Sequence, residues 1–508
     1  VTDAPTASTR GAGWPAVNPA DADACHRAGL AALDAGTEIM ALPLLDAARA
    51  FHPRDPRLWH VTGLLHRALD DLAPAVAAFE KAAVLAPRNA DLAHDHARAA
   101  MEAGLPSLYL YDLAHRLAPL DGEVLLGMAA ARNVEEGPGP ALDLLEEQLG
   151  LHPEWVEGHM LFARLRCVDG RRESFASSLE QALALRPRDT NLWRELVTIL
   201  IHAEQFEEAL AAIGRGRAAA GPHLAFDANE AVCFAEMGDT AAADRLFRPL
   251  EAVEDLNLAI RRVRHLIRSG RPDQAAAVAE PLLDGPGAGF AAPYLSIVWR
   301  LIGDPRWHWL EGDERLIGVY DLADSLPPLD LLAARLRTLH TGSEAPLEQS
   351  LRAGTQTHSE LFARIEPEIR ALRRAAVGAV GEHIAQLPAP DSKHPTLGKA
   401  RDSLVRFSGS WSVRLRPGGH HINHIHPDGW LSSALYVALP PPGAGGEHAG
   451  WLALGGQDGE MGVHLPPIRQ IEPKPGRLVL FPSTMLHRTL PFDSGERLTV
   501  AFDVAPPR

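Results

Sequence analysis

Apolar positions recur at helical spacing through the first part of the chain and at strand spacing near its end. Up to about residue 288, apolar stripes alternate with polar faces in the i, i+3, i+4 manner of packed helices. Prolines punctuate them at Pro53, Pro87, Pro119, Pro153, Pro187 and Pro222, in steps of 34, 32, 34, 34 and 35 residues. A fixed period of this length predicts stacked helical hairpins, roughly seven or eight of them. After Gly285-Pro286-Gly287 the texture changes. Residues 305–322, with Trp307, Trp309 and the apolar run 316–320, read as strand, and residues 359–387 read as one amphipathic helix. From Leu404 onward short β-type segments alternate with Gly/Pro turns: 412–415, 430–439, 450–454, 477–481 and 498–504.

Many short strands with turn signals, flanked by lone helices, predict a double-stranded β-helix, or jelly-roll. The expected architecture is therefore multidomain: an extended or disordered N-terminus over 1–20, an all-α repeat solenoid over 21–288, and a jelly-roll domain over 289–508. Within the repeats, residues 56–89 carry Trp59, Gly63, Ala75, Phe79, Ala82 and Pro87. That spacing matches the tetratricopeptide pattern, with His66 where an aromatic is usual. Gly63 and Ala75 are small where two helices cross closely, Phe79 fills the seam, and Pro87 stops the second helix. Such arrays leave a concave face suited to a peptide or partner protein; a bare scaffold or a homodimer interface is the plainer use.

Composition narrows the options. With 46% hydrophobic and 22% charged residues the chain is of ordinary globular make-up. Its 49 Lys and Arg against 65 Asp and Glu give a net charge of −16, which argues against nucleic acid as a partner. Cys25, Cys167 and Cys233 show no CxxC spacing and read as buried small hydrophobes. Neither a secretory layout at the N-terminus nor an uninterrupted apolar span is visible, so a cytoplasmic protein without a membrane role is expected.

Histidines crowd the β region. His424 and His426 are one residue apart, so on an extended strand both imidazoles leave from one face. His487, just beyond the apolar run 478–482, is a candidate third ligand from a neighbouring strand, and such a facial set leaves positions open for co-substrate and O2. Ten residues on, Arg497 and Thr499 share a face of the next strand, a guanidinium fork and a hydroxyl that suit one carboxylate.

The stretch GSWSVRLRPGGHHINHIHPDGW at 409–430, followed by SSALYV at 432–437, resembles the signature of a bacterial family of 2-oxoglutarate/Fe(II) oxygenases often fused to tetratricopeptide repeats. GRLVLFPSTMLH at 476–487, RLTVAFD at 497–503 and SLRAGTQT at 350–357 continue the likeness. A more distant similarity is to aspartyl/asparaginyl β-hydroxylases, in the run Pro417-Gly418-x-His420-x3-His424, the distal His487 and the Arg ten residues beyond. The resemblance implies that His424 and His487 hold Fe(II) and that Arg497 holds the far carboxylate of 2-oxoglutarate. Tyr436, on the face of Ser432, would add a hydroxyl to that pocket. The family's commoner His-x-Asp is absent: His426 stands where the carboxylate is usual. Three completions are open: an all-histidine set with His426, a pair formed by His426 and Asp428, or two histidines with His426 behind them. His420 and His421 read as structural or supporting residues. His448 and His464 are rim or solvated loop residues, and Trp411, Trp430 and Trp451 are core or an aromatic wall to the substrate.

The function expected on this likeness is a 2-oxoglutarate-dependent dioxygenase hydroxylating a peptide or protein side chain, with the repeats binding the substrate. A small-molecule hydroxylase of the same fold, or a non-catalytic tetratricopeptide adaptor with a sensing oxygenase-like domain, are the other readings.

Overall fold

The computed structural model describes residues 17–507 apart from 345, 346, 348, 358 and 359, so the expected extended stretch 1–20 lies almost wholly outside the described residues. Among the described residues seventeen α-helices run in chain order from Ala22–Ala35 to Ala288–Ile302. Asp55, Asn89, Asp189 and Asp255 cap successive helix starts through their side chains. At the other end, His52, Ala86, Ala118, His152, Arg186 and Gly221 are the C-caps, each directly before one of the six periodic prolines. The period seen in the sequence is thus the period of helix stops. At Gly63 a Cβ would come within 2.7 Å of the Phe79 ring, the close crossing expected of that pair. All three cysteines are free and buried.

Beyond the helices lie eleven strands: β1 (Gly318–Asp321), β2 (Leu351–Gln356), β3 (Phe407–His421), β4 (Leu431–Ala438), β5 (Leu452–Leu454), β6 (Gln457–Asp458), β7 (His464–Leu465), β8 (Arg469–Ile471), β9 (Arg477–Pro482), β10 (His487–Thr489) and β11 (Arg497–Val504). They form an antiparallel six-stranded sheet in the order β1-β9-β4-β11-β3-β2, a three-stranded sheet β10-β5-β8, and the ribbon β6-β7.

Alternation along the large sheet sorts its side chains into two layers. Leu431, Leu435, Leu478, Leu480, Leu498, Val500 and Phe502 pack with Leu332, Leu336, Ile369, Leu372 and Val380 of the flanking helices Leu329–Leu339 and Pro367–Gln386. The opposite face, through Ala434, Tyr436, Val479 and Phe481, packs with Leu452, Leu454 and Ile471 of the smaller sheet. This is the sandwich of a jelly-roll. On β11 the inward set is Arg497, Thr499, Ala501 and Asp503, polar at three of four positions, whereas its outward set is wholly apolar.

Two local expectations change. Residues 305–322 are mostly turn-like, with a π-helical turn His308–Gly312 and only Gly318–Asp321 as strand. The helix expected over 359–387 begins at Pro367, which takes the first helical position where its missing N–H costs nothing, after a 3-10 turn Leu361–Ala363.

By compactness the chain divides into two units. One runs up to Ala131 and takes in Ala363–Ile365; the other comprises Arg132–Phe362 and Glu366–Pro507. The second unit holds the later helical hairpins together with all eleven strands. Within it Ile260, Val263, Leu266 and Trp299 share one apolar cluster with Met461 and Val463, so the change from helix to strand is not a break in packing. Among the described residues no helix is long and apolar enough to cross a membrane.

Candidate metal centre

After β3 the chain stays extended alongside the segment that leads into β10. His424 and His487 exchange both backbone hydrogen bonds at 3.1 Å, and the His426 amide donates to the Ser483 carbonyl at 3.0 Å. A hydrogen-bonded antiparallel pair presents its side chains to the same face, and His426, two residues on, joins them. The ring centroids lie 4.0 Å apart for His424 and His487 and 5.1 Å for His426 with either. One nitrogen from each ring falls within 4.8 Å of the others, close enough to share a metal ion.

Each of the three rings is also tied from behind. Nδ1 of His424 lies 2.8 Å from the Ile422 carbonyl, Nδ1 of His487 lies 3.1 Å from the Met485 carbonyl, and Nδ1 of His426 lies 2.6 Å from Oδ2 of Asp503. Carbonyl and carboxylate oxygens only accept, so each Nδ1 donates to its oxygen, which makes Nε2 the atom each ring can offer a metal. Burial, reinforced by His426, brings the His424 imidazole down to about 3. Burial together with His424 and His426 pushes His487 well below its ordinary value. Neutral, oriented imidazoles with their second nitrogens held by oxygen are the form in which histidine binds metal.

Arg497 is 2% exposed, and no carboxylate among the described residues pairs with it. The adjacent Glu496 is taken by Arg337 and Arg414 on the other side of the strand. The guanidinium carbon stands 5.0 Å from the centre of the buried Tyr436 ring. The two groups attract, but Nε of Arg497 and the Tyr436 hydroxyl reach no hydrogen bond of acceptable geometry. Burial lowers the guanidinium's affinity for its proton, with Tyr436 partly offsetting this, and burial raises the Tyr436 phenol. Thr499 pairs with Tyr436 across β11 and β4 and is 3% exposed. A buried cation and a buried hydroxyl, both unspent, call for an anion with acceptor oxygens.

Ser432 is elsewhere. Its hydroxyl sits 2.6 Å from Oδ1 of Asp503 and 3.0 Å from the Ser483 hydroxyl, so it backs the carboxylate that holds His426 instead of facing Arg497. Asp428 is exposed and outside the histidine group. The carboxylate that does reach the centre is Asp503, to which RLTVAFD assigns no role by itself. A signal lies in the sequence: Asp503 continues the period-2 face of Arg497 and Thr499 and is the one acid on that strand. Gly429 leaves it room, since a Cβ there would meet Ser483 Oγ at 2.5 Å and the Asp503 Cβ at 3.3 Å.

Among the remaining candidates, His421 stacks 5.6 Å from His424 and lies 3.3 Å from Thr489 Oγ1, while His420 bonds back to the Gly418 carbonyl. His464 is exposed, and His448 packs edge-on against Trp451. Trp430 is in the core, whereas Trp411 lies 5.5 Å from His426 as a wall of the site.

Residues 409–503 match the model of the family described as "Putative 2OG-Fe(II) oxygenase", a stretch that runs from β3 to β11 and contains all three histidines, Arg497 and Asp503. The C-terminal region thus carries an oxygenase-family domain behind tetratricopeptide-type repeats. Among solved structures, the chain is similar to YrrB, described as a TPR protein with an unusual peptide-binding site, at 19% identity and a TM-score of 0.29 over 34% of this chain and 91% of that one. It is also similar to a tetratricopeptide repeat protein from Parabacteroides merdae, at 16% identity and a TM-score of 0.30 over 46% and 93%. MamA from Desulfovibrio magneticus is similar at 18% identity and a TM-score of 0.29 over 33% and 97%. No curated protein matches the chain.

Proposed function

We propose that the chain is an Fe(II)- and 2-oxoglutarate-dependent dioxygenase that hydroxylates a peptide or protein side chain, with the repeats over 21–288 carrying the substrate and the region 289–508 the catalyst. The observation that carries this reading is the pairing of three Nδ1-tethered histidines with a buried arginine that has no acid partner. His424, His426 and His487 would hold the iron through Nε2 as a facial set. Arg497, with the hydroxyls of Tyr436 and Thr499, would take the far carboxylate of 2-oxoglutarate. When bound, the metal and its co-substrate supply the oxidation of a C–H bond by O2, with 2-oxoglutarate decarboxylated to succinate.

The protein's own part is orientation and exclusion of water. Asp503 and two backbone carbonyls fix the imidazole planes; Phe481, 4.8 Å from His487, and Trp411 wall the site with apolar surface. The unpaired Arg497 is pre-set for a dicarboxylate and discriminates against 2-oxo acids without a second carboxylate, because those leave the guanidinium buried and uncompensated.

The test is anaerobic addition of Fe(II) and then 2-oxoglutarate to the full chain. A chelated 2-oxo acid gives a weak visible charge-transfer band, and admission of air gives succinate. No band and no succinate at saturating Fe(II) would end the reading.

A further inference from the structure

A second built cavity lies in the helical part of the same compact unit. It has a volume of about 600 Å³ and is lined by the first helices of three successive hairpins, Thr190–His202, Leu224–Met237 and Leu256–Arg268. That size lies within the range of ligand sites. The residues these helices turn inward include Arg194 on the first, Asn229 on the second, and Asn257 and Arg261 on the third.

The charge of this lining runs against that of the chain. The whole molecule carries −16, yet Arg194 and Arg261 face a cavity whose one acidic residue is Asp255, and that carboxylate is occupied in capping the Leu258 amide at 2.8 Å. Among the described residues Arg194 makes one side-chain hydrogen bond, at 3.4 Å to the Asn191 amide oxygen. Arg261 has no ion pair among the described residues: Glu236, the acid nearest in effect, is held by Arg264 and Arg268. Elsewhere in the same hairpins, by contrast, arginines are matched, as Arg217 is with Asp227 and Glu230.

The cavity is also linked to the metal centre through packing. Helix Leu256–Arg268 lines the cavity with Asn257, Leu258 and Arg261, while its Ile260, Val263 and Leu266 pack in one cluster with Met461 and Val463. The turn bearing Met461 carries Glu460, whose Oε1 accepts the amide of Asn423 at 3.3 Å, one residue before His424.

We propose that this cavity binds an extended acidic peptide segment, with Arg194 and Arg261 taking its carboxylates and Asn229 and Asn257 its main-chain amides. The helix shared with the Glu460 turn makes the segment part of the substrate offered to the histidines. The inference rests on the reading that the repeats carry a polypeptide substrate, and it names the charge of that substrate.

The probe is a fluorescein-labelled peptide of alternating Glu and Ala, compared with its Gln and Ala counterpart by anisotropy on the full chain. The Glu peptide is expected to bind at least about tenfold more tightly than the Gln peptide, and more weakly as salt is raised. Arg194→Ala with Arg261→Ala should cost the Glu peptide about tenfold or more in affinity, while Arg194→Lys with Arg261→Lys should retain most of it. Equal binding of the two peptides, no binding of the Glu peptide, or an undiminished affinity in the folded alanine variant overturns the proposal. If the alanine variant does not fold, the comparison of peptides on the unaltered chain decides alone. The iron and 2-oxoglutarate titration is run on the same unaltered protein. Its failure with the Glu peptide still bound removes the oxygenase reading and leaves the acidic-peptide site, and the converse result removes only the site.

Discussion

In the hairpin helices Glu236 sits between Arg264 and Arg268, 3.2 Å from the first and 2.6 Å from the second, while between the two sheets Arg497 is 2% exposed with no acid partner among the described residues. The same chain therefore treats buried charge in two opposite ways. Burial opposes ionisation of Glu236, but Arg264 and Arg268 outweigh it and bring the carboxyl down to about 2. That network is complete within the protein and has nothing left to offer a ligand. Arg497 has no acid partner among the described residues and the Tyr436 hydroxyl makes no hydrogen bond, so both can turn to a ligand's carboxylate. The contrast is between a buried charge that the protein matches with opposite charge and one that it does not.

The sharpest attempt to break the comparison is His487→Ala. If the three imidazoles are a metal set, losing one of the two that are locked together by backbone hydrogen bonds abolishes the 2-oxoglutarate-dependent absorption band and succinate release. A variant that still binds iron and turns over normally would show that the tethered rings are structural.

Next in size is Arg497→Ala. A charge-assisted contact is worth about 1.5–3 kcal/mol, so the 2-oxoglutarate concentration for half-maximal succinate formation should rise about tenfold or more, with Fe(II) binding little changed. The same variant should melt at nearly the same temperature, since the guanidinium it removes has no acid partner among the described residues and meets only the Tyr436 ring. A clear loss of stability together with an unchanged 2-oxoglutarate requirement would make Arg497 a structural residue.

Glu236→Gln probes the opposite side. Breaking a fully buried pair costs about 3–5 kcal/mol. Here the two arginine side chains are 28% and 21% exposed, so about 2 kcal/mol is expected, read by urea unfolding at neutral pH. The carboxyl's folded value lies below its unfolded one, so its stabilisation is present above about pH 4.5 and lost as pH falls toward 2. The variant should lack that part of the acid sensitivity and keep its iron chemistry. Weakened 2-oxoglutarate binding in Glu236→Gln would blur the two regions into one.

Much of this organisation is legible in the residues, and the boundary of what is legible has a physical form. Local chemistry reads directly: the prolines mark helix stops, Gly63 marks a crossing, and the i, i+2 spacing of His424 and His426 puts two rings on one face. Pairings across distant strands do not. Asp503 meets His426 over a separation of 77 residues, and only the register of β11 against β3 and β4 brings them together. Ser432 illustrates the same point, since its face was correctly shared with Tyr436 but its depth along β4 places it opposite Asp503 and away from Arg497. The strand expected over 305–322 is confined to Gly318–Asp321, because tryptophans such as Trp307 and Trp309 sit in a surface turn as readily as in a strand. The compact units are not legible either, because apolar stripes show that a helix packs and not against what.

The smallest expected effect comes from Asp503→Asn. The carboxylate accepts the proton of His426 Nδ1 at 2.6 Å and is itself steadied by Ser432. Replacing such a partner costs metal affinity by about 10–100-fold in general. The low end is expected here, because the His426 backbone remains fixed by Ser483 and its ring by Trp411. An asparagine oxygen still accepts from Nδ1, but without the charge that raises the basicity of Nε2, so the loss should appear as a higher Fe(II) requirement that excess iron restores. The half-saturating 2-oxoglutarate concentration, set at Arg497, should stay within about twofold once iron is saturating. Asp503→Ala, with no oxygen to present, should lose more and be rescued less. If the asparagine and alanine variants both match the unaltered protein in Fe(II) titration, His426 needs no support from Asp503, and the two-histidine site with His426 standing behind it becomes the better description of the centre.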